Sequence, residues 1–512
     1  MVKKLRVFSS FLTISMVLFI GIIPVSTDAA NRAGFNAEML TLTPGRTTSE
    51  IGVTWHSAAA SGRNGAVKFA PRSAMVRNNF PDSAVIVKAV SADAYTNRIS
   101  HKATLTGLIP NTEYVYAVSN DGVIYSRQYT YRTPAAGAFT FVAVGDPHLT
   151  DRSVSERDYL ETNKKRRTLQ GWQETLNAIS RAIPNVGFIA SMGDQVDRNL
   201  DDGRPEDKLD EHQPKYANLF RPDILRRLPL APAIGNHEAR SNYSFSFHYN
   251  LPNERIITGN NMVVTSSSER RHISKRENEN RGHYYFLYNN ALFVVLNSSA
   301  RVSDIRQARA KVAIFDDVLR TATRAHAGQY DWLFVWHHKT TIGVADHAAD
   351  TDIQFYVEAG IEQLFANHNV DVVLAGHDHS YARSFPLQVS RAAGSINGVI
   401  FNRANNGNRI NKGDGTVFFT LNSSTGQKFY AEFVPAVKDN TDFPYLADGT
   451  RGSAELMSGK LHWGINVFHQ KNRPMFMGVD VDSNSITLRA FEVQSNGRAT
   501  VVDTFTIIRP AL

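Results

Sequence analysis

Five short apolar runs in this chain each end on a residue able to hold a metal ion. Phe139 to Val144 leads into Gly145-Asp146-Pro147-His148, and Val186 to Met192 into Gly193-Asp194-Gln195-Val196-Asp197. Leu228 to Ile234 leads into Gly235-Asn236-His237-Glu238, Trp332 to Trp336 into His337-His338, and Val370 to Ala375 into Gly376-His377-Asp378-His379. Short apolar runs enriched in β-branched and aromatic residues and bounded by glycine read as buried strands of a largely parallel sheet. In open α/β sheets, ligands bind in the crevice beyond the carboxyl ends of the strands. Five strand ends carrying Asp, Asn and His therefore converge on one place, and their donors are those of a metal site.

The chain has no cysteine, so disulfides, thiolate metal sites and cysteine nucleophiles are excluded together. Any metal must be held by oxygen and imidazole. The candidate ligands are Asp146, His148, Asp194, Asn236, His337, His377 and His379. Asp-x-His and His-x-His put two donors at the mouth of one strand. A carboxylate such as Asp194 can bridge two cations, and the Asn236 amide adds an oxygen without charge. Mixed imidazole and oxygen ligands suit Zn, Mn, Fe or Co, whereas Ca and Mg favour all-oxygen cages. Two such ions about 4 Å apart can clamp the attacking and leaving oxygens of a phosphoryl centre, so the donor set points to ester hydrolysis.

At 512 residues the chain is long enough for two or three domains. Lys3, Lys4 and Arg6, the apolar stretch Val7 to Val25 and the small residues through Ala30 fit a secretory signal over residues 1–30. The expectation is a secreted or periplasmic protein with no stable membrane insertion after cleavage. The net charge of +8 fits two readings, attraction of an anionic phosphate ester and, more commonly, scattered Lys and Arg that only keep a protein soluble. No aromatic-interleaved basic patch marks a nucleic-acid binder, so nucleic acid is expected only as a substrate. The Lys164-Lys165-Arg166-Arg167 run reads as a solvated helix face.

Residues 36–133 carry about seven short alternating strands separated by turns such as Asn64-Gly65 and Asp121-Gly122, the pattern of a β-sandwich. Residues 138–512 form the larger domain. Leu169, Trp172, Leu176, Ile179 and Ile183 recur at three or four and predict a helix packed on the sheet. Ile305, Val312, Phe315 and Leu319 predict a second, and a third is expected from Ile353 to Ala366. Thr265 to Gly282 is polar and aperiodic, a surface loop. After Arg383 the pattern returns to strands, and Asn496-Gly497 predicts a hairpin. His248 and His283 sit near the polar insertion as rim residues at most, and Arg383 reads as a brace under the last ligand loop.

Leu105 to Tyr116, with Leu108, Pro110, Tyr114 and Tyr116, resembles the end of a fibronectin type III module. The series Gly145-Asp146-x-His148, Gly193-Asp194-x-x-Asp197, Gly235-Asn236-His237-Glu238, His337 and Gly376-His377-x-His379 resembles the motifs of the calcineurin-like metallophosphoesterase superfamily. The leading sandwich, Phe247 to Asn253 and Gly376 to Arg383 further resemble its purple acid phosphatase branch. The implied fold is an α/β (α+β) four-layer sandwich, two packed mixed sheets flanked by helices, behind an all-β fibronectin III-like sandwich.

The resemblance implies two divalent or mixed-valence transition metal ions. One would be held by Asp146, His148 and His379, the other by Asn236, His337 and His377, with Asp194 between them. His337 is preferred to His338 because the family's ligand directly follows the apolar strand. A metal-held hydroxide would attack phosphorus, His237 would contact the phosphate and protonate the leaving oxygen, and Glu238 would orient its ring. Where purple acid phosphatases carry a tyrosine that binds ferric iron, this chain has Asp197, and it has His148 where they lack a histidine. That departure implies a colourless site nearer to the family's phosphodiesterases, with Asp197 steadying a ligand imidazole. The expected activity is an exported phosphoesterase acting on a small phosphate ester. Monoesterase and diesterase remain alternatives, and so does a surface binding protein with a relic phosphoesterase domain.

Overall fold

The computed structural model describes residues 35–150, 168–197, 210–239, 242–258, 262–264, 281–300, 302–390, 399–426, 428–430 and 464–510. The candidate signal at 1–30, the basic run at 164–167 and most of the polar loop at 265–282 lie outside them. Among the described residues, no helix is long and apolar enough to cross a membrane.

The amino-terminal unit is two packed four-stranded sheets. One contains Glu38–Pro44, Ile51–Ala58, Arg98–Leu105 and Val90–Asp93, the other Val85–Lys88, Ala66–Pro71, Glu113–Ser119 and Tyr129–Arg132. The alternation-based strand from Ala84 to Val90 is in fact two. The chain leaves one sheet after Lys88 and joins the other at Val90, pinned between them by the Ala89 amide on the Gly65 carbonyl at 2.8 Å. Trp55, Val53, Leu42 and Tyr116 fill the space between the sheets. The Tyr114 hydroxyl accepts from the Ile109 amide at 2.9 Å, closing a tyrosine corner five residues back along the chain.

The larger unit packs two mixed seven-stranded sheets face to face, as the sequence led one to expect. The first runs Leu230–Pro232, Val186–Ser191, Phe139–Val144, Met475–Val481, Ser485–Val493, Ala499–Ile508, Arg409–Asn411. The second runs Tyr284–Tyr288, Ala291–Val295, Trp332–Lys339, Val372–Gly376, Val417–Thr420, Tyr381–Ser384, Ile465–His469. Between them aromatic rings interlock. Phe141 stacks on Phe188 at 5.0 Å and meets Phe293 and Phe334 edge-on, each at 5.3 Å. Edge-to-face and offset pairs of this kind stabilise a core beyond their buried area.

Helices cover the outer faces. Thr168–Ala182 buries Trp172, Leu176 and Ile179 against the first sheet, and Ile305–Ala325 buries Phe315, Val318 and Leu319 against the second. Asp304 caps the latter, accepting from the Gln307 amide at 3.0 Å. The single helix expected from Ile353 to Ala366 is two, Thr351–Glu358 and Ile361–Asn367. Gly360 divides them at φ +85°, a left-handed position that glycine takes without a Cβ penalty.

Several bonds fasten the sandwich to the end of the short helix Asn242–His248 and the residues just after it. Lys102 Nζ donates to the carbonyls of Ser246 and Tyr249, Ser100 Oγ to that of Phe247, and Asn250 Nδ2 to that of Ala103. His248 is buried here, stacked on His56 at 4.5 Å and on Tyr216 at 3.9 Å, with Tyr95 Oη 2.6 Å from its Nε2. His283 is buried too, beside Phe315. Neither is a rim residue. Both carry an imidazole inside apolar surroundings, which holds its proton affinity below the ordinary histidine range.

Candidate metal centre

Register brings the strand ends level. Val144 pairs with Ser191 and Ser191 with Pro232 in parallel, so Asp146, Asp194 and Asn236 leave the first sheet at one edge. In the second sheet Lys339 pairs with Gly376, which sets His338 beside His377. Past the strands the loops knit to one another. The His148 amide donates to the Asp194 carbonyl at 2.8 Å, the His237 amide to Asp194 Oδ1 at 2.8 Å, and the His377 amide to Asp146 at 3.0 Å.

These loops are wound tightly. Asp146, His148, Asp194, His377 and His379 all have positive φ, between +44° and +74°. Each such non-glycine residue costs about 1–3 kcal/mol, and strain of this kind gathers where function over-determines the backbone. The flanking glycines allow the close approach. A Cβ on Gly235 would collide with the Asp194 carboxylate, and one on Gly376 with that of Asp146.

Two half-sites result. In the first, His148 Nε2 and His379 Nε2 face each other at 3.0 Å, with Asp146 Oδ1 3.6 Å from the latter. In the second, His338 Nε2 lies 2.8 Å from Asn236 Oδ1 and 3.1 Å from His377 Nδ1. Asp194 Oδ2 reaches both, 3.5 Å from His148 Nε2 and 3.4 Å from His338 Nε2.

The residues fit cations. His338 Nδ1 donates to the Met192 carbonyl at 2.8 Å and His379 Nδ1 to that of Lys428 at 3.1 Å, so each ring turns Nε2 inward. That outer tether to a backbone carbonyl is the usual companion of a metal-bound histidine. Burial holds His148, His377 and His379 neutral, the form that ligates. Burial lifts Asp146 above the ordinary carboxylate range, and the Asp194 charge adds to the lift. Burial would lower His338 as well, but Asp194 and Asp146 outweigh it and raise the ring's proton affinity. Acceptors crowd this pocket closely, an arrangement suited to a bound cation.

His337 is not part of the cluster. Trp332, Phe334 and Trp336 face the space between the sheets, Leu333 and Val335 face the helices, and the alternation continues through the next pair. His337 therefore points to the helix side, stacked on Phe365 at 5.6 Å, and His338 enters the site.

Glu238 does not touch the His237 ring. Its buried carboxylate accepts from the amides of Gly235 at 2.7 Å, Asp194 at 3.0 Å and Val196 at 3.0 Å, lashing the second and third loops together. The ring of His237 is held by Asp197, whose Oδ1 lies 2.8 Å from Nδ1, and its Nε2 is 3.7 Å from Asp194 Oδ2. Asp197 Oδ1 also lies 3.5 Å from His148 Nδ1 and accepts from Lys428 Nζ at 3.0 Å. Arg383 is a brace. It is fully buried, with Nε 2.8 Å from Asp503 Oδ2, which Tyr381 Oη also meets at 2.7 Å.

The sequence reading missed His347 and Asp350. The His347 ring stacks on His377 at 4.1 Å, and its Nδ1 lies 2.8 Å from Asp350 Oδ2, which is 3.5 Å from His377 Nε2. Burial would lower His347, but the bond to Asp350 and that residue's charge raise it. No strand ends at His347, so periodicity gave no signal.

Two family models match the chain, the purple acid phosphatase N-terminal domain over residues 37–133 and the calcineurin-like phosphoesterase over residues 139–381. An uncharacterized protein of Mycobacterium tuberculosis is 25% identical over 365 residues, which cover 67% of this chain and 60% of that protein. Acid phosphatase type 7 of Homo sapiens is 25% identical over 296 residues, 56% of this chain and 57% of its own length. The chain thus spans less than two thirds of these relatives. Among solved structures, a purple acid phosphatase from yellow lupin (Lupinus luteus) seeds superposes with a TM-score of 0.60 at 17% identity, covering 92% of this chain and 74% of that one. PhoD superposes with a TM-score of 0.55 at 12% identity, covering 93% and 91%. At these identities the likeness is one of fold.

Proposed function

We propose, for a chain that belongs to the calcineurin-like metallophosphoesterases and carries the N-terminal domain of the purple acid phosphatases, hydrolysis of small phosphate esters at a dinuclear centre. The observation that carries this reading is the shared carboxylate. One oxygen of Asp194 stands within 3.5 Å of an imidazole nitrogen in each half-site. Asp146, His148 and His379 would hold one transition metal ion and Asn236, His338 and His377 the other, with Asp194 bridging. The pair, when bound, would supply positive charge to the phosphoryl oxygens and lower the pKa of water towards neutrality.

The remaining work falls to side chains around the pair. His237 turns its Nε2 edge towards Asp194 Oδ2, so a phosphoryl or leaving oxygen lying over the pair is within its reach. Asp197 on Nδ1 keeps that edge aimed, the placement that a donor to the leaving oxygen needs. His347, on the other flank, can donate to a second phosphoryl oxygen. Glu238 serves by fixing the loops that carry Asp194 and Asn236. The absence of a tyrosine at Asp197 supports a colourless centre, and the basic balance of the chain supports attraction of an anionic ester. Export through the segment at 1–30 belongs to the same reading.

The test is turnover of an aryl phosphomonoester and the matching diester, after chelation and after return of Zn, Mn, Fe or Co singly, with Asp194→Ala as control. Turnover restored by metal and abolished by the substitution is expected, and the ratio of the two rates assigns monoesterase or diesterase. No hydrolysis of either ester with any of the four metals would overturn the reading.

A further inference from the structure

The segment that carries His347 to the second half-site has little regular structure to support it. After the strand ends at Lys339, residues 340–345 run as irregular, bent backbone into the short 3-10 element Asp346–Ala349. One side chain gathers this segment from beneath. Asp378, between the ligand histidines His377 and His379, points away from both half-sites and is fully buried. Its Oδ2 accepts from the amides of Val344 and Ala345, each at 2.7 Å, and its Oδ1 from the amide of His347 at 3.0 Å. Ser380 Oγ adds a longer contact at 3.3 Å. Amide dipoles turned onto one carboxylate form a compact anion cradle, and a charged acceptor makes each bond stronger than a neutral one would.

Gly343 lies against the same carboxylate, where a Cβ would come within 2.5 Å of Oδ2. The His347 side chain is then fixed independently, by Asp350 on Nδ1 and by the stack on His377. Its Nε2 is left as the ring atom that can donate to a phosphoryl oxygen.

Resting on the phosphoesterase reading above, we propose that Asp378 is a positioning residue of the reaction, holding the His347 backbone so that the ring meets substrate phosphate over the second half-site. The two ligand histidines and the carboxylate between them would divide the work of one tripeptide. His377 and His379 would each hold an ion, and Asp378 places the imidazole that flanks them.

Asp378→Asn separates this from a general role in folding. An asparagine oxygen in place of Oδ2 still accepts from Val344 and Ala345, but its NH2 then confronts the His347 amide, so the bond to His347 is the one lost. Metal content should stay at that of the parent while kcat/KM for the better ester falls by up to roughly 100-fold, the cost of misplacing a group that positions the substrate. The double variant with His347→Ala decides the matter. If Asp378 acts through His347, Asp378→Asn adds less than about 2-fold to His347→Ala, as coupled residues do. Gly343→Ala, which pushes on the same carboxylate from the other side, should behave alike and replaces Asp378→Asn if that variant does not fold. Calorimetric binding of inorganic phosphate to the zinc-loaded protein should weaken in parallel.

Multiplicative losses in the double variant, with an active parent, would overturn this role alone. A parent that neither hydrolyses ester nor binds phosphate would overturn the phosphoesterase reading and this role with it.

Discussion

Asp197 Oδ1 stands 2.8 Å from Nδ1 of His237, so the carboxylate that closes the second strand-end motif governs the ring that opens the third. The same oxygen receives Lys428 Nζ at 3.0 Å, and Lys215 Nζ donates to the Asp197 carbonyl at 2.9 Å. Two cations and the imidazoles of His148 and His237 thus gather on Asp197, which holds the His237 ring. Asp197→Ala should therefore lower kcat by roughly 10–100-fold, the range for outer partners of a metal site, while both metal equivalents remain. Steady-state kinetics beside elemental analysis of the purified variant checks this. A loss under 2-fold would mean that His237 needs no such tether.

His337 and His338 make a sharper pair. His338→Ala removes the nitrogen that meets Asn236 and His377, so metal bound at the second half-site should be lost and kcat should fall by more than the roughly 100-fold of an outer partner. His337→Leu should leave metal content and kcat at parental values. His337 is buried on the helix side against Phe365, so a leucine of similar size keeps that apolar packing and should leave stability close to the parental value. Metal analysis and thermal unfolding of the two variants read this directly. Metal loss in His337→Leu would return the ligand to the position the sequence suggested.

That pair also marks where the sequence was legible and where it was not. Strand ends, donor types and the mixed-sheet layers could be read because apolar runs and glycines punctuate them. The choice of histidine could not. A strand buried on both faces reads as a continuous apolar run, so Trp332 to Trp336 carries no polarity contrast to say which parity faces the site. Glu238 was given the wrong partner for a similar reason. Adjacency to His237 suggested a contact, but the short helical turn Asn236–Ala239 directs Glu238 inward to the amides of Asp194 and Val196. His347 and Asp350 depend on a turn whose shape is set by Asp378, thirty-one residues after His347.

The interface between the sandwich and the larger unit predicts a pH dependence of stability. His56 is fully buried between the two, its Nε2 3.1 Å from the Phe247 carbonyl, and burial lowers its pKa to about 3, with Lys102, His101 and Arg98 opposing the charged form. In the unfolded chain the ring would titrate near 6.5. Between these values the unfolded state binds the extra proton, so the contribution of neutral His56 is complete above pH ~6.5 and declines as pH falls towards ~3, by about 1.4 kcal/mol per unit. His248 and His212 are depressed in the same direction by burial. Urea unfolding at pH 7, 6 and 5 should show stability falling with acid, and His56→Gln should flatten the slope by about one proton. An unchanged slope in His56→Gln would mean that the ring takes up its proton at the same pH in the fold as in the unfolded chain.

Arg383 separates a brace from a substrate contact. Its guanidinium is fully buried beneath the last ligand loop and bonded to Asp503 and to Asn408 Oδ1 at 2.9 Å, and its cation lies 4.6 Å from the centre of the Phe505 ring. Asp503 is held jointly by Arg383 and Tyr381, so the pair links the strand Tyr381–Ser384 to Ala499–Ile508 across the two sheets. Removing one partner of a buried ion pair leaves the other charge desolvated, at a cost of about 3–5 kcal/mol. Arg383→Met should thus lower stability by that order and leave KM for an aryl phosphomonoester unchanged, because the Arg383 guanidinium is turned to Asp503 and Asn408. Replacing both residues, Arg383→Met with Asp503→Leu, should recover much of the loss, since neither charge is then stranded. Chemical denaturation of the two variants gives the stability difference, and initial rates at several ester concentrations give KM. A raised KM at parental stability would assign Arg383 to the substrate instead.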